Sequence, residues 1–162
     1  MIFKHCPNCG EKLDKKEIGD EGLVPFCISC NAPWFSFSYP CVLCLVVDEN
    51  ENVVLARDMA NTFYGGVAGY IKEGEAVEDA AKREIEEEIG IEVLDIKYIK
   101  SYSRDQNTLM LCFVCKAKNQ ELKISEKELH FAGWFPANEA RNLVRQGSII
   151  MQLIDDHTKT AK

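Results

Sequence analysis

A chain of 162 residues that is 46% hydrophobic can bury one good core and carry a small appendage, which limits it to one catalytic domain. Its net charge of −7, without any cluster of lysine or arginine, excludes the electrostatic footprint of a duplex binder and disfavours bulk nucleic acid as a partner. The longest apolar run, Cys41 to Val47, falls far short of the ~20 residues of a membrane span, and the start MIFKHCPNCG has no apolar export core. No membrane partner and a cytoplasmic location are therefore expected.

The chain opens on two C-x-x-C knuckles, Cys6/Cys9 and Cys27/Cys30, separated by 17 residues. That spacing predicts a four-thiolate zinc site, because two short turns bring four sulfurs into a tetrahedron. A segment of about 35 residues has no other way to build a core, so the metal would supply its folding energy. Four thiolates leave no open coordination position, which makes the zinc structural. A redox dithiol is the alternative, disfavoured by the pairing of two knuckles. We expect a small zinc ribbon over residues 1–35 and a catalytic domain over 36–162.

The uncharged segment from Asn31 to Pro40, with Trp34, Phe35, Phe37 and Tyr39, is expected to pack onto the following domain rather than to stack a base or a nicotinamide ring. Cys41–Val47 reads as a buried strand, Asp48–Asn52 as a turn and Val53–Arg57 as the returning strand. Another strand over Val67–Ile71 leads into a helix over Glu75–Ile89, with Gly74 as the turn before it and Gly90 as its stop. Strands are expected over Glu92–Tyr102, Thr108–Ala117 and His130–Phe135. A helix should begin near Pro136, and a last one should run from an N-cap at Ser148 to about His157. Cys41/Cys44 and Cys112/Cys115 lie inside strands, where residues three apart point to opposite faces, so these four are expected to pack in the core.

At about 100° per residue, Glu84, Glu87 and Glu88 share one side of the Glu75–Ile89 helix, and Lys82 and Glu86 point the other way. Like charges three and four apart cost a helix about 0.2–0.5 kcal/mol per pair, so this face calls for a counter-charge. Oxygen ligands alone suit Mg²⁺ or Mn²⁺ rather than zinc. A solvated acidic face is the bland alternative.

The stretch GYIKEGEAVEDAAKREIEEEIGI matches the Nudix box, G-x5-E-x7-R-E-U-x-E-E-x-G-U with U aliphatic, at every fixed position. Gly69, Glu75, Arg83, Glu84, Ile85, Glu87, Glu88, Gly90 and Ile91 fill it. With a four-cysteine ribbon in front of it, the chain resembles the NADH pyrophosphatase branch of the Nudix hydrolases over nearly its whole length. The resemblance implies an α/β (α+β) fold, an α/β/α sandwich with a mixed sheet behind a zinc ribbon. It also implies a metal-dependent pyrophosphohydrolase that cuts the diphosphate of a small nucleotide substrate such as NADH or NAD, ADP-ribose or a nucleotide sugar.

By that resemblance Glu84, Glu87, Glu88 and Glu128 would hold Mg²⁺ or Mn²⁺. Arg83 would pair with a neighbouring glutamate, Glu75 and Gly90 would support the box, and the carbonyl beside Gly69 could add a ligand. Related enzymes often form homodimers, an arrangement compatible with this chain. Where the branch carries SQPWPFPxS, this chain has Ser101-Tyr-Ser-Arg-Asp-Gln-Asn-Thr108. Arg104, Asp105 and Gln106 are accordingly the candidates for substrate recognition. Two other readings use the same scaffold. One is a nucleotide-sensing regulator that binds RNA or protein, and the other is a hydrolase of the nicotinamide dinucleotide cap on RNA.

Overall fold

The computed structural model describes residues 3–58, 60 and 62–160. The chain divides into two compact units, Met1–Tyr39 with Asp105–Asn107, and Pro40–Arg104 with Thr108–Lys162. In the first, β1 (Asp14–Glu17), β2 (Leu23–Cys27) and β3 (Ala32–Pro33) form an antiparallel sheet in that order, with Asp14 opposite Phe26 and Cys27 opposite Ala32. Its knuckles close through backbone hydrogen bonds, with the Gly10 N–H donating to the Cys6 carbonyl at 2.8 Å. The aromatic rings of this unit pack on one another. Phe3 lies 5.6 Å from both Trp34 and Phe37, and Phe37 lies 5.4 Å from Tyr39. Phe35, Phe37 and Tyr39 are 47%, 43% and 38% exposed.

The second unit contains β4 (Tyr39–Val47), β5 (Asn52–Asp58), β6 (Val67–Tyr70), α1 (Val77–Ile89), β7 (Asp95–Asp105), β8 (Thr108–Lys116), β9 (Leu129–Pro136), α2 (Ala137–Leu143) and α3 (Ile149–Thr160). The mixed sheet runs β7-β8-β4-β5-β9, and β6 pairs with β4. Strand β4 is the axis of this sheet, and its period-2 alternation sorts the core into two layers. Cys41, Leu43, Leu45 and Val47 pack with Ala140, Val144, Ile150 and Leu153 on the α2–α3 side. Val42, Cys44 and Val46 pack with Ala80, Ala81, Ile85 and Ile89 on the α1 side. Cys112 and Cys115 divide between the same two layers, so all four strand cysteines are core residues, as expected. Each fully buried Val, Leu or Ile in these layers contributes about 1.5–3 kcal/mol. The result is the α/β/α sandwich that the sequence resemblance implied.

Along its length β4 changes partner. Cys41 to Cys44 pair with Tyr70 to Val67, whereas Val47 pairs with Val53 of β5. Strand β5 continues along β9 and shifts register between Arg57 and Asp58. The ends of β5 and β6 therefore diverge, and the start of α1 follows β6 at that opening.

Helix α1 begins two residues later than Glu75, because Glu75 belongs to the preceding turn and its N–H donates to the Lys72 carbonyl at 3.1 Å. Its end lies where the sequence places it. Gly90 is left-handed, φ +68°, and its N–H donates to the Glu86 carbonyl at 3.0 Å. A Cβ there would also stand 2.7 Å from Cβ of Lys123. Strand β7 starts three residues later than expected, and Ser148 caps α3, its Oγ accepting from the Met151 N–H at 3.3 Å. Among the described residues no helix is long and apolar enough to cross a membrane.

Candidate metal-dependent active site

One cavity of about 1290 Å³ opens in the second unit where β5 and β6 part. Glu84, Glu87 and Glu88 of α1 line it, together with Gly69, Tyr70 and Lys72 beside β6, Asp58 at the end of β5, and Glu128 just before β9. The three box glutamates share one face of the helix, as their spacing requires, and Lys82 and Glu86 are exposed elsewhere.

Arg83 organises the entry to the helix. Its Nε and Nη2 donate to the two carboxylate oxygens of Glu75 at 2.6 and 2.9 Å, and Nη2 also donates to the Tyr70 carbonyl at 3.1 Å. Its Nη1 donates to Glu84 at 2.5 Å and to Glu87 at 3.0 Å. Glu75 also accepts the Lys72 N–H at 2.9 Å. Arg83, with that N–H in support, holds the Glu75 carboxyl far below the usual range, at about 2. Glu75 in turn pushes the guanidinium further up, so both ends of the pair stay charged throughout the working pH range. A bidentate guanidinium–carboxylate pair of this kind fixes orientation as well as charge.

Gly69 serves Glu84 directly. A Cβ at this position would overlap the Glu84 carboxylate, so the absence of a side chain is what lets that carboxylate lie against β6.

Glu128 lies 44 residues beyond Glu84 in the chain. The loop that carries it is tied to the end of α1, where the Lys123 N–H donates to the Ile89 carbonyl and the Ser125 N–H to the Glu88 carbonyl, both at 2.9 Å. The Glu128 N–H then donates to the Ser125 carbonyl at 3.0 Å, and the Trp134 indole donates to the Gln120 carbonyl at 2.9 Å. These bonds satisfy the open carbonyls of the helix end and carry Glu128 to the cavity.

Glu88 is the least comfortable of the carboxylates. It is 7% exposed. Desolvation, followed by the charge of Glu84, raises its carboxyl from the ordinary 4.5 to about 8, with Glu128 and Asp58 adding to the rise and the Ala68 N–H opposing it. A buried carboxylate facing three others has the donor chemistry of a site for a hard divalent cation, which would relieve both burial and repulsion. On these observations the residues fit Mg²⁺ or Mn²⁺.

The four knuckle cysteines also form a metal-competent set. Their sulfurs lie within 4.8 Å of one another, with Cys6 and Cys30 at 3.9 Å and Cys9 and Cys27 at 3.5 Å. A zinc tetrahedron with bonds of about 2.3 Å has edges near 3.8 Å, so the cluster has the right size. None of the eight cysteines forms a disulfide.

Of the recognition residues expected after the box, Arg104 lines the cavity. Asp105 and Gln106 belong to the first unit. Asp105 uses a carboxylate oxygen to accept the Asn107 N–H at 2.7 Å and so helps to close the β7–β8 turn. The sequence reading did not single out Asp58, Phe63, Tyr64 or Arg145, which also line the cavity. No local pattern marks them, because they reach the site through strand register and loop placement.

A model of the NUDIX domain matches residues 38–153. This chain belongs to the Nudix family. Among curated proteins it is similar to a Pseudomonas aeruginosa protein named NAD-capped RNA hydrolase NudC, at 32% identity over 155 residues, covering 94% of this chain and 54% of that protein. A protein of the same name from Vibrio parahaemolyticus is 29% identical over 94% of this chain and 58% of its own length. The chain thus spans little more than half the length of the curated relatives it matches. In fold it is similar to a Nudix hydrolase from Nitrosomonas europaea, with a TM-score of 0.74 and 18% identity, covering 97% of this chain and 93% of the other. It is also similar to the Nudix domain of Shewanella oneidensis NrtR in complex with ADP ribose, with a TM-score of 0.68 and 18% identity over 79% of this chain and 91% of the other.

Two outcomes follow from this geometry. Gly69→Ala displaces the Glu84 carboxylate while leaving the Nudix core folded. Its thermal unfolding should stay near that of the parent while its affinity for Mn²⁺, read by electron paramagnetic resonance, falls by at least tenfold. The second concerns pH in buffer free of Mg²⁺ and Mn²⁺. Below about 4.5 Glu88 is protonated in both folded and unfolded chains and contributes nothing. From 4.5 to 8 only the unfolded chain ionises, so the parent loses stability relative to Glu88→Gln as pH rises, and above 8 the difference levels off. Melting curves of the two proteins from pH 4 to 9 measure this, and parallel profiles would exclude the buried, charge-crowded carboxyl.

Proposed function

We propose that this Nudix chain is a divalent-metal-dependent pyrophosphohydrolase that cleaves the diphosphate of a nucleoside diphosphate derivative. The observation that carries the reading is the convergence of Glu84, Glu87, Glu88 and Glu128 on one cavity, with Glu88 buried among like charges. A module that only binds a nucleotide gains nothing from so costly a cluster. Glu84, Glu87, Glu88 and Glu128 would hold Mg²⁺ or Mn²⁺, which supplies charge neutralisation and Lewis acidity to an otherwise repulsive polyanion.

The chain's own groups do the rest. Arg83 positions Glu84 and Glu87, Glu75 fixes Arg83, and Gly90 ends the helix so that the Glu128 loop can dock on it. A carboxylate of the cluster takes the proton of the attacking water. Cys6, Cys9, Cys27 and Cys30 hold a structural Zn²⁺ as thiolates, and cysteines without disulfides suit a reducing compartment such as the cytoplasm.

The names of the curated relatives support a substrate of the nicotinamide dinucleotide class, free or as a cap on RNA. The altered stretch from Ser101 to Thr108 supports a change in what is recognised beyond the diphosphate.

Phosphate release measured after phosphatase coupling, from NADH, NAD⁺, ADP-ribose, nucleotide sugars and nucleoside triphosphates, tests the reading. Activity should require Mg²⁺ or Mn²⁺, and Glu87→Gln and Glu88→Gln should each lower kcat by about 10²-fold or more with the fold intact. Retained turnover in both variants would refute the assignment. For the ribbon, metal analysis should find about one zinc per chain, lost in Cys9→Ser. An equal zinc content in that variant would remove Cys9 from the site.

A further inference from the structure

Two cations share the carboxylate of Glu87, one on each oxygen. Arg83 Nη1 donates to Oε2 at 3.0 Å, and the Lys72 ammonium stands 3.5 Å from Oε1. A divalent cation ligated by Glu87 would lie against one of these positive charges and repel it. The geometry decides which of the two yields. Arg83 is 18% exposed in its side chain and is also bound to both oxygens of Glu75, to Glu84 and to the Tyr70 carbonyl. The Lys72 side chain is 61% exposed, and among the described residues the contact with Glu87 is its one ion pair. A pair so open to water holds weakly. Lys72 is therefore the partner that moves.

Its backbone does not move with it. The Lys72 N–H donates to a Glu75 carboxylate oxygen at 2.9 Å, and its carbonyl accepts the Glu75 N–H at 3.1 Å. Glu75 is in turn gripped by Arg83 at 2.6 and 2.9 Å. Lys72 thus carries its charge on a flexible stem that starts from a fixed point of the cavity wall. Of the chain's fourteen lysines it is the one in that lining among the described residues. An ammonium is a compact charge with rotatable donors and can change partner, which a guanidinium fork locked on four groups cannot do. Released from Glu87, it needs another anion. The diphosphate is the anion that metal-loaded glutamates bring to this cavity. Lys72 also falls within the five unspecified positions between Gly69 and Glu75, so the box pattern does not require it.

We propose that Lys72 changes partner during the reaction. It neutralises Glu87 in the metal-free protein and, once that carboxylate ligates a divalent cation, binds a phosphate oxygen of the substrate. The proposal rests on the hydrolase reading above for the metal at Glu87, and it adds a catalytic residue from outside the helix face.

Two binding measurements of opposite sign on the full chain test it. Affinity for Mn²⁺ without nucleotide, read by electron paramagnetic resonance, should rise about three- to tenfold in Lys72→Met, which keeps the length of the side chain and removes its charge. Affinity for α,β-methylene-ADP, whose diphosphate bridge cannot be hydrolysed, should fall about tenfold in the same variant at saturating Mn²⁺. Lys72→Arg should keep both values near those of the parent. In a Glu87→Gln background, Lys72→Met should leave Mn²⁺ affinity unchanged, because the carboxylate that couples the two sites is gone. Unchanged Mn²⁺ affinity in Lys72→Met, tighter Mn²⁺ without loss of nucleotide affinity, or a loss of both affinities together overturns the proposal. Equal Mn²⁺ affinity in the parent and Glu87→Gln would take the metal away from Glu87, and so refute the reading beneath the proposal as well.

Discussion

The constraint on which the second unit depends is the burial of the Glu88 carboxyl beside Glu84, Glu128 and Asp58. An isolated carboxylate taken out of water is costly, and placing others against it raises the cost further. The fold tolerates this because the rest of α1 is anchored by apolar contacts that do not depend on the charge. Ala80, Ala81, Ile85 and Ile89 are fully buried against β4 and its neighbours. One helix therefore carries two incompatible tasks on adjacent faces. Its apolar face supplies the stability that its carboxylate face gives up.

Around that helix, small local devices hold the charged face in one geometry. Arg83 spends every guanidinium nitrogen on Glu75, Glu84, Glu87 and the Tyr70 carbonyl, which removes the rotational freedom of three glutamates at once. Gly69 gives up its side chain so that Glu84 can lie against the strand. Gly90 ends the helix in a left-handed turn, and the loop at Lys123 and Ser125 then takes up its open carbonyls. Through that last step the end of a helix and the position of Glu128 become one structural fact.

The electrostatics of the cavity differ from those of the whole chain. An acidic protein with net charge −7 places four of its five arginines in one site, three of them without a carboxylate partner among the described residues. Such a partition makes the cavity two-sided in charge, with carboxylates and guanidiniums in one lining. Local charge arrangement therefore governs ligand chemistry here more directly than net charge does.

Much of this was legible in the sequence, and for identifiable reasons. The glutamate face of α1, the role of Gly90, the pairing of knuckle cysteines and the alternation of β4 all arise from spacing within one element, where a period of 3.6 or 2 determines which residues share a face. The start of α1 was read two residues early because Glu75, a good helix former, is held by Lys72 and Arg83 in the turn ahead of it. By itself the sequence determined the box, the shared face of its three helix glutamates and the sheet between helices. Only the tertiary structure decided that Asp58, Arg57, Tyr64 and Arg145 line the cavity of the box glutamates. That meeting depends on a register shift in β5, on β4 passing from one partner strand to another, and on where a loop between two helices comes to rest. These are long-range pairings with no local periodicity to announce them.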